Sequence, residues 1–184
     1  STTETIGNTV QEAKSAQFEF EKYNQAQVDE VVTAVAWSIC NPTNNKLISD
    51  LAVNTTGLGK VDDKILKNKR KTLGLLRDLK NVKTVGVIKE DKGKGIVEIA
   101  KPVGVVAAVT PSTNPAATPI NNILNALKGR NSIIVSPSPA GLKVFQELLN
   151  YINQELNKIK APKNLIQTLP SPVSKELTKE FSSF

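Results

Sequence analysis

The 184-residue sequence contains no histidine and a single cysteine, Cys40. Those two facts narrow the available chemistry at once. Without an imidazole there is no Ser-His-Asp triad and no histidine-based zinc site, so no metal is expected. Cys40 stands beside Trp37 and Ile39 near the end of a helical pattern, with no base to activate it. A thiol so placed is read as a small buried hydrophobe and not as a nucleophile. Neither G-x-G-x-x-G nor G-x-x-x-x-G-K-[ST] occurs, so both common phosphate fingerprints are absent. What does occur is a pair of polar, turn-rich segments, Thr110-Pro-Ser-Thr-Asn-Pro115 and Ser136-Pro-Ser-Pro139. Hydroxyls, an amide and loop N–H groups can hold a phosphate or a ribose without a special motif. Spacing leaves a second reading equally open, in which residues 110–115 only cap the following helix. The basic run Lys64, Lys67, Lys69, Arg70 and Lys71 carries charge that suits phosphates. No aromatics for base stacking lie nearby, so it is read as a solvated helix face.

The elements that must position these loops follow from periodicity. A polar lead-in carries a helix over about 10–23. Val28, Val31, Val32, Val35 and Ile39 recur at helical spacing and stop before Pro42. Val35 and Trp37 are assigned to the core. Thr43 is read as the N-cap of a third helix with Leu47, Ile48 and Leu51 on one face, ended by Gly57 and Gly59. Asp62 opens a fourth, running to about 79 and carrying Ile65, Leu66, Leu73 and Leu76. Short β-branched runs at 85–88 and 96–99 flank a charged turn. From 103 onward the order is strand, helix, strand, helix, strand, Pro170-Ser-Pro172 and a final helical stub. Residues 103–109 are nearly all apolar, as a strand buried on both faces requires. The fold class expected is α/β: N-terminal helices followed by a doubly wound, Rossmann-like parallel sheet. The divisions are a helical region, 1–80, a short β segment, 81–102, and the sheet-forming part, 103–184. Such sheets bind ligands at the carboxyl ends of their strands, and both polar loops fall at such ends.

Composition agrees with that architecture. Hydrophobic residues make up 39% and aromatics 4%, so the core must be built from Val, Ile, Leu and Ala. The net charge of +7 favours anionic partners without choosing among them. A lone cysteine excludes an internal disulfide and favours a reducing compartment. No segment approaches the roughly 18 apolar residues of a membrane span, and residues 1–10 lack a signal peptide's apolar stretch. The expectation is a cytoplasmic protein with neither membrane nor nucleic acid as partner. Ser1 stands where an initiator Met would be, which reads as a processed, trimmed or incomplete chain.

One resemblance is specific. Lys101-Pro-Val-Gly-Val-Val-Ala-Ala-Val-Thr-Pro-Ser-Thr-Asn-Pro115 and Ala126-Leu-Lys-Gly-Arg-Asn-Ser-Ile-Ile-Val-Ser-Pro-Ser-Pro139 are similar to the CoA-acylating aldehyde dehydrogenases. Leu73-Gly-Leu-Leu-Arg-Asp-Leu-Lys80, Thr84-Val-Gly-Val-Ile-Lys-Glu-Asp91 and Ala161-Pro-Lys-Asn-Leu-Ile166 fit the same pattern. The resemblance covers about residues 18–177. It implies that 103–184 is the first part of a dinucleotide-binding domain. It implies an enzyme that converts an aldehyde, CoA and NAD or NADP to an acyl-CoA through a cysteine thioester, and a homo-oligomer. The loop matching Val109, Thr110, Pro111, Ser112 and Thr113 would line the nicotinamide end. Ser136, Pro137, Ser138 and Pro139 would lie at the adenosine ribose. Ser136 replaces the ribose-binding Lys of ordinary aldehyde dehydrogenases, as in the acylating branch, whereas Ser138 departs from a His often found there. An ungapped match puts Thr113 in the place of the family's oxyanion-stabilising Asn. Asn114, one residue on, supplies the required amide donor if the loop bulges by a residue. The resemblance places the catalytic cysteine and general-base Glu beyond Phe184, so the 184-residue chain alone is expected to be inactive. It extends the expected location to the interior of a bacterial microcompartment. Two alternatives stand beside it: a non-catalytic truncated homologue that binds nucleotide or assembles with full-length partners, and a basic nucleic-acid-binding protein.

Overall fold

Asparagine side chains cap two of the helix starts in the first third of the chain. In the computed structural model, which describes residues 2–169 and 175–183, α1 spans Thr2–Phe20, α2 Gln25–Cys40, α3 Pro42–Thr56 and α4 Val61–Leu79. Asn24 and Gln27 form a reciprocal capping box at the start of α2. The cap of α3 is Asn41, not Thr43: its Oδ1 accepts from the N–H groups of Thr43 and Asn44, with Pro42 in the first turn. A carboxamide just ahead of Pro42 satisfies donors that the Thr43 hydroxyl, already inside the helix, would leave open. Gly57, at φ 68°, ends α3 in the left-handed conformation. Helix α1 begins at Thr2, well before the expected 10, and stops at Phe20. Its stripe, Ile6, Val10, Ala13 and Phe20, is buried, but polar residues on the other faces mask it in the sequence.

Helix α4 departs most from its apolar pattern. Leu66 and Leu73 are 54% and 44% exposed, while Asn68 and Thr72 are buried. The reason lies across the interface. Asn68 Nδ2 donates to Asn45 Oδ1 at 3.1 Å and to Ser49 Oγ at 3.3 Å, and Asn45 Nδ2 donates to the Ile65 carbonyl at 3.0 Å. Asn45 and Ser49 on α3, four residues apart, both meet Asn68 on α4, while the buried Thr72 Oγ1 has no hydrogen-bond partner among the described residues. The α3–α4 seam is therefore a polar network.

Strands β1, Gly86–Asp91, and β2, Ile96–Ala100, form an antiparallel hairpin with a bulge between Val87 and Lys89. Gln25 ties its base to α2, accepting from the N–H groups of Thr84 and Val85. The remaining elements are β3 Val105–Thr110, α5 Ala117–Lys128, β4 Ser132–Pro137, a 3-10 turn at Pro139–Gly141, α6 Leu142–Lys158, β5 Ile166–Thr168 and α7 Lys175–Phe181. Residues 170–172 lie outside the described residues. The strands form a parallel sheet in the order β3-β4-β5, so the expected alternation is present. Central β4 is buried throughout and alternates faces. Ile133 and Val135 pack with Ile120, Leu124 and Leu127 of α5 and Phe145 and Leu148 of α6. Ile134 packs on the other side with Ile6, Val10, Leu169 and Phe181. Helix α2 joins the first of these clusters through Val31, Val35 and Ile39.

Three apolar assignments are corrected. Trp37 is 49% exposed and Leu47 51% exposed, because each lies off the stripe that its helix turns to the core. Strand β3 is an edge strand: Ala108 and Thr110 are buried, whereas Ala107 is exposed and Val109 is 64% exposed. An all-apolar run therefore did not mean two covered faces.

The Gly129-Arg130-Asn131 turn fastens the sheet to the hairpin. Arg130 takes φ 59°, and its guanidinium donates to the carbonyls of Glu21 and Ala100. Asn131 Oδ1 accepts from the N–H groups of Val103 and Gly104 at 2.7 and 3.0 Å. A Cβ on residue 129 would meet Asn131 Nδ2 at 2.8 Å, so a side chain there would have to displace the Asn131 amide.

Candidate functional site

Strands β3 and β4 run in register, Val109 beside Ser136 and Thr110 beside Pro137, so their carboxyl ends fall side by side. Thr110, Ser136 and Pro137, expected in loops, are the last paired residues of these strands. The loops that follow are in contact. Ser138 N–H donates to the Thr110 carbonyl at 3.0 Å. A Cβ on Gly141 would lie 3.2 Å from both Pro115 Cβ and Ser138 Oγ. The segments 110–115 and 136–139 thus meet at one edge of the sheet, as the strand order requires.

Each proposed site residue has a distinct environment. Val109, Pro111 and Thr113 are exposed at the edge, and Ser112 and Asn114 are half-buried. Thr110 is buried, and its Oγ1 has no hydrogen-bond partner among the described residues. Ser136 is also buried, with Oγ 3.2 Å from Thr178 Oγ1 on α7. Ser138 Oγ accepts from Gly141 N–H and caps the 3-10 turn that leads into α6. Pro137 is buried and Pro139 exposed. Capping is thus real in the second loop. In the first, Ala116 precedes α5 and makes no side-chain cap.

Two residues that pattern reading left on a solvated face belong to this region. Lys64 Nζ donates to the Thr113 carbonyl and Lys67 Nζ to Asn114 Oδ1, both at 3.1 Å. These contacts bridge 49 and 47 residues of sequence. Burial, reinforced by the Lys67 charge, lowers the Lys64 amine below its ordinary value. Lys69, Arg70 and Lys71 remain exposed, as expected. The one available signal was the three-residue spacing of Lys64 and Lys67 on a single helix face. Nothing local indicated which loop lay opposite.

Cys40 is half-buried at the end of α2. Burial pushes its thiol above the ordinary value, with Lys69 partly opposing. That is the reverse of an activated nucleophile. Among the described residues no helix is long and apolar enough to cross a membrane.

The strand-end site can accept an anionic ligand chemically. It presents an apolar exposed Val109 and an edge that carries the Lys64 and Lys67 charges, while the Thr110 hydroxyl is buried. An apolar face suits a ring and positive potential suits an anion.

The sequence model described as "Aldehyde dehydrogenase family" matches residues 1–182. The chain is 55% identical over 177 residues to a sulfoacetaldehyde dehydrogenase (acylating) of Cupriavidus necator, covering 96% of this chain and 36% of that protein. It superposes on an acetylating aldehyde dehydrogenase from Geobacillus thermoglucosidasius with TM-score 0.91 and 36% identity, covering 98% of this chain and 39% of that one. A Rhodopseudomonas palustris propionaldehyde dehydrogenase, solved with bound CoA and an acylated cysteine, matches with TM-score 0.79 and 28% identity over 95% of this chain and 39% of its own. The chain thus spans a little over a third of the length of these relatives.

Proposed function

The chain belongs to the aldehyde dehydrogenase family, and on that premise we propose that it is the N-terminal, nucleotide-binding portion of a CoA-acylating enzyme that turns an aldehyde, CoA and NAD(P)+ into acyl-CoA and NAD(P)H. The observation that carries this reading is the convergence of loops 110–115 and 136–139 at the ends of adjacent parallel strands, in a chain whose relatives are acylating dehydrogenases. NAD or NADP supplies the hydride acceptor and CoA the thiol that takes the acyl group. The catalytic cysteine of the family is assigned beyond Phe184.

The residues of this chain act by binding and orienting. Residues 109–113 line the reacting end. Val109 offers an apolar surface, while Ser112 and the loop N–H groups beside it hold polar substituents. The Asn114 amide donates to the oxygen that gains charge when the cysteine adds to the aldehyde carbonyl. A preset donor at that oxygen is worth most in the transition state, and losing one costs about a hundredfold or more in kcat. Residues 136–139 border the ribose, mainly through backbone and the exposed Pro139. A cytoplasmic homo-oligomer completes the reading. Its support is the single unpaired cysteine and the apolar hairpin surface of Val87, Val97 and Ile99, each 46–54% exposed.

The test is calorimetric titration of the complete protein with NAD+, NADP+ and CoA. CoA and the preferred dinucleotide should compete. Val109→Trp, at an exposed position with little folding cost, should weaken the dinucleotide about tenfold, or about 1.4 kcal/mol. Independent binding of the two ligands, together with a silent Val109→Trp, would refute the assignment.

A further inference from the structure

We infer that Lys67 is a positioning residue that sets the orientation of the Asn114 amide; the inference rests on the reading of Asn114 as the oxyanion donor. A carboxamide has an oxygen that accepts and a nitrogen that donates, nearly equal in size, and its environment decides which end points where. Lys67 Nζ lies 3.1 Å from Asn114 Oδ1. An ammonium is a donor only, so it can face the oxygen and never the nitrogen. The pair therefore turns Oδ1 toward α4 and leaves both N–H groups of Nδ2 on the opposite side. Among the described residues Asn114 Nδ2 has no hydrogen-bond partner, which leaves it able to donate.

Two further contacts keep the amide from swinging as a whole. Lys64 Nζ holds the carbonyl of the preceding residue, Thr113. The Asn114 carbonyl accepts from Thr118 N–H at 3.3 Å in the first turn toward α5. Backbone and side chain of residues 113 and 114 are thus held from α4 and α5 together. The positive charge at Oδ1 also polarises the amide, which strengthens the N–H groups as donors. Lys67 does not touch the reacting atoms in this arrangement; its effect passes through Asn114.

The experiment compares Lys67→Met, Lys67→Arg, Asn114→Ala and the Lys67→Met/Asn114→Ala double variant in the complete protein. Lys67 is exposed, and Met preserves its aliphatic stem, so the fold should survive. Thermal midpoints and dinucleotide affinity verify that. Asn114→Ala should lower kcat by about a hundredfold. Lys67→Met should lower kcat about tenfold with little change in KM, and Lys67→Arg should recover most of the loss. The double variant should be no slower than Asn114→Ala alone, because the lysine has nothing left to orient. The Asn114 side-chain amide resonance should shift in Lys67→Met. If Asn114→Ala is impaired while Lys67→Met turns over normally, or if the two losses multiply, the positioning role is wrong and the oxyanion reading survives. If Asn114→Ala turns over normally, the oxyanion reading fails and takes the positioning role with it.

Discussion

Cys40 shows how one residue type can mislead or inform depending on its surroundings. In a family whose chemistry runs through a thiol, the only cysteine here is half-buried, with a raised pKa and Lys69 as the one opposing charge. Iodoacetamide at pH 8 should alkylate it more slowly than a free thiol, and unfolding should abolish the difference. The sign of the coupling to stability follows from the same shift. Burial favours the neutral thiol in the native state, so this contribution is intact below the ordinary value of 9.0 and is lost as pH rises past it toward the folded pKa. Cys40→Ala should flatten that alkaline loss in denaturant titrations. The 184-residue chain should yield no NAD(P)H from aldehyde, CoA and either dinucleotide. Turnover abolished by Cys40→Ser would overturn the reading of this residue. Lys64 and Lys67 are the opposite case: side chains that look like solvated surface and are tied to the candidate site.

At the scale of elements, polar side chains do more of the specifying than apolar periodicity suggests. Asn41 caps α3 through the N–H groups of Thr43 and Asn44. Asn41→Ala should therefore destabilise the protein by about 1 kcal/mol, while Thr43→Ala should be nearly neutral. Equal losses at the two positions in urea melts would restore Thr43 as the cap. The α3–α4 seam makes the same point. A reader counting Leu and Ile would turn Leu66 and Leu73 inward, yet Asn45, Ser49, Asn68 and Thr72 occupy the interface. Hydrogen bonds among Asn45, Ser49 and Asn68 satisfy the buried amides, whereas a polar stripe against leucines would bury them orphaned. Strand patterns carried a related ambiguity: β4 is buried on both faces and β3 on one, although both read as apolar runs.

At the scale of the whole molecule, the hairpin is the element with least cover. Residues of β1 and β2 are exposed apart from their half-buried ends, and Val87 lies beside Ile99 on an open face with Val97. An isolated two-stranded ribbon is marginal in water, so this face suits contact with another copy. Ile99→Lys should shift the complete protein to a smaller species in sedimentation or light scattering. An unchanged mass would show that the hairpin is not an oligomer contact. The spans and matches with relatives bear on the same scale: nearly all of this chain aligns with a little over a third of theirs.

Turn chemistry and periodicity are local properties, and they made the order of helices and strands, the parallel sheet and the two strand-end loops legible from the amino acids alone. Spacing of β-branched residues is enough to identify a strand, and parallel connection is enough to bring successive carboxyl ends together. The motifs at 101–115 and 126–139 carried the family as well. What they could not carry was the partner across each interface. That Ser136 Oγ meets Thr178, that Asn68 meets Asn45, that β3 lies at an edge and that Lys67 reaches Asn114 are facts about elements far apart in sequence. Their pairing depends on how the apolar stripes of α1, α2, α5 and α6 are shared between the two faces of one sheet. The energy of that sharing belongs to the packed core, so only the tertiary structure decides it.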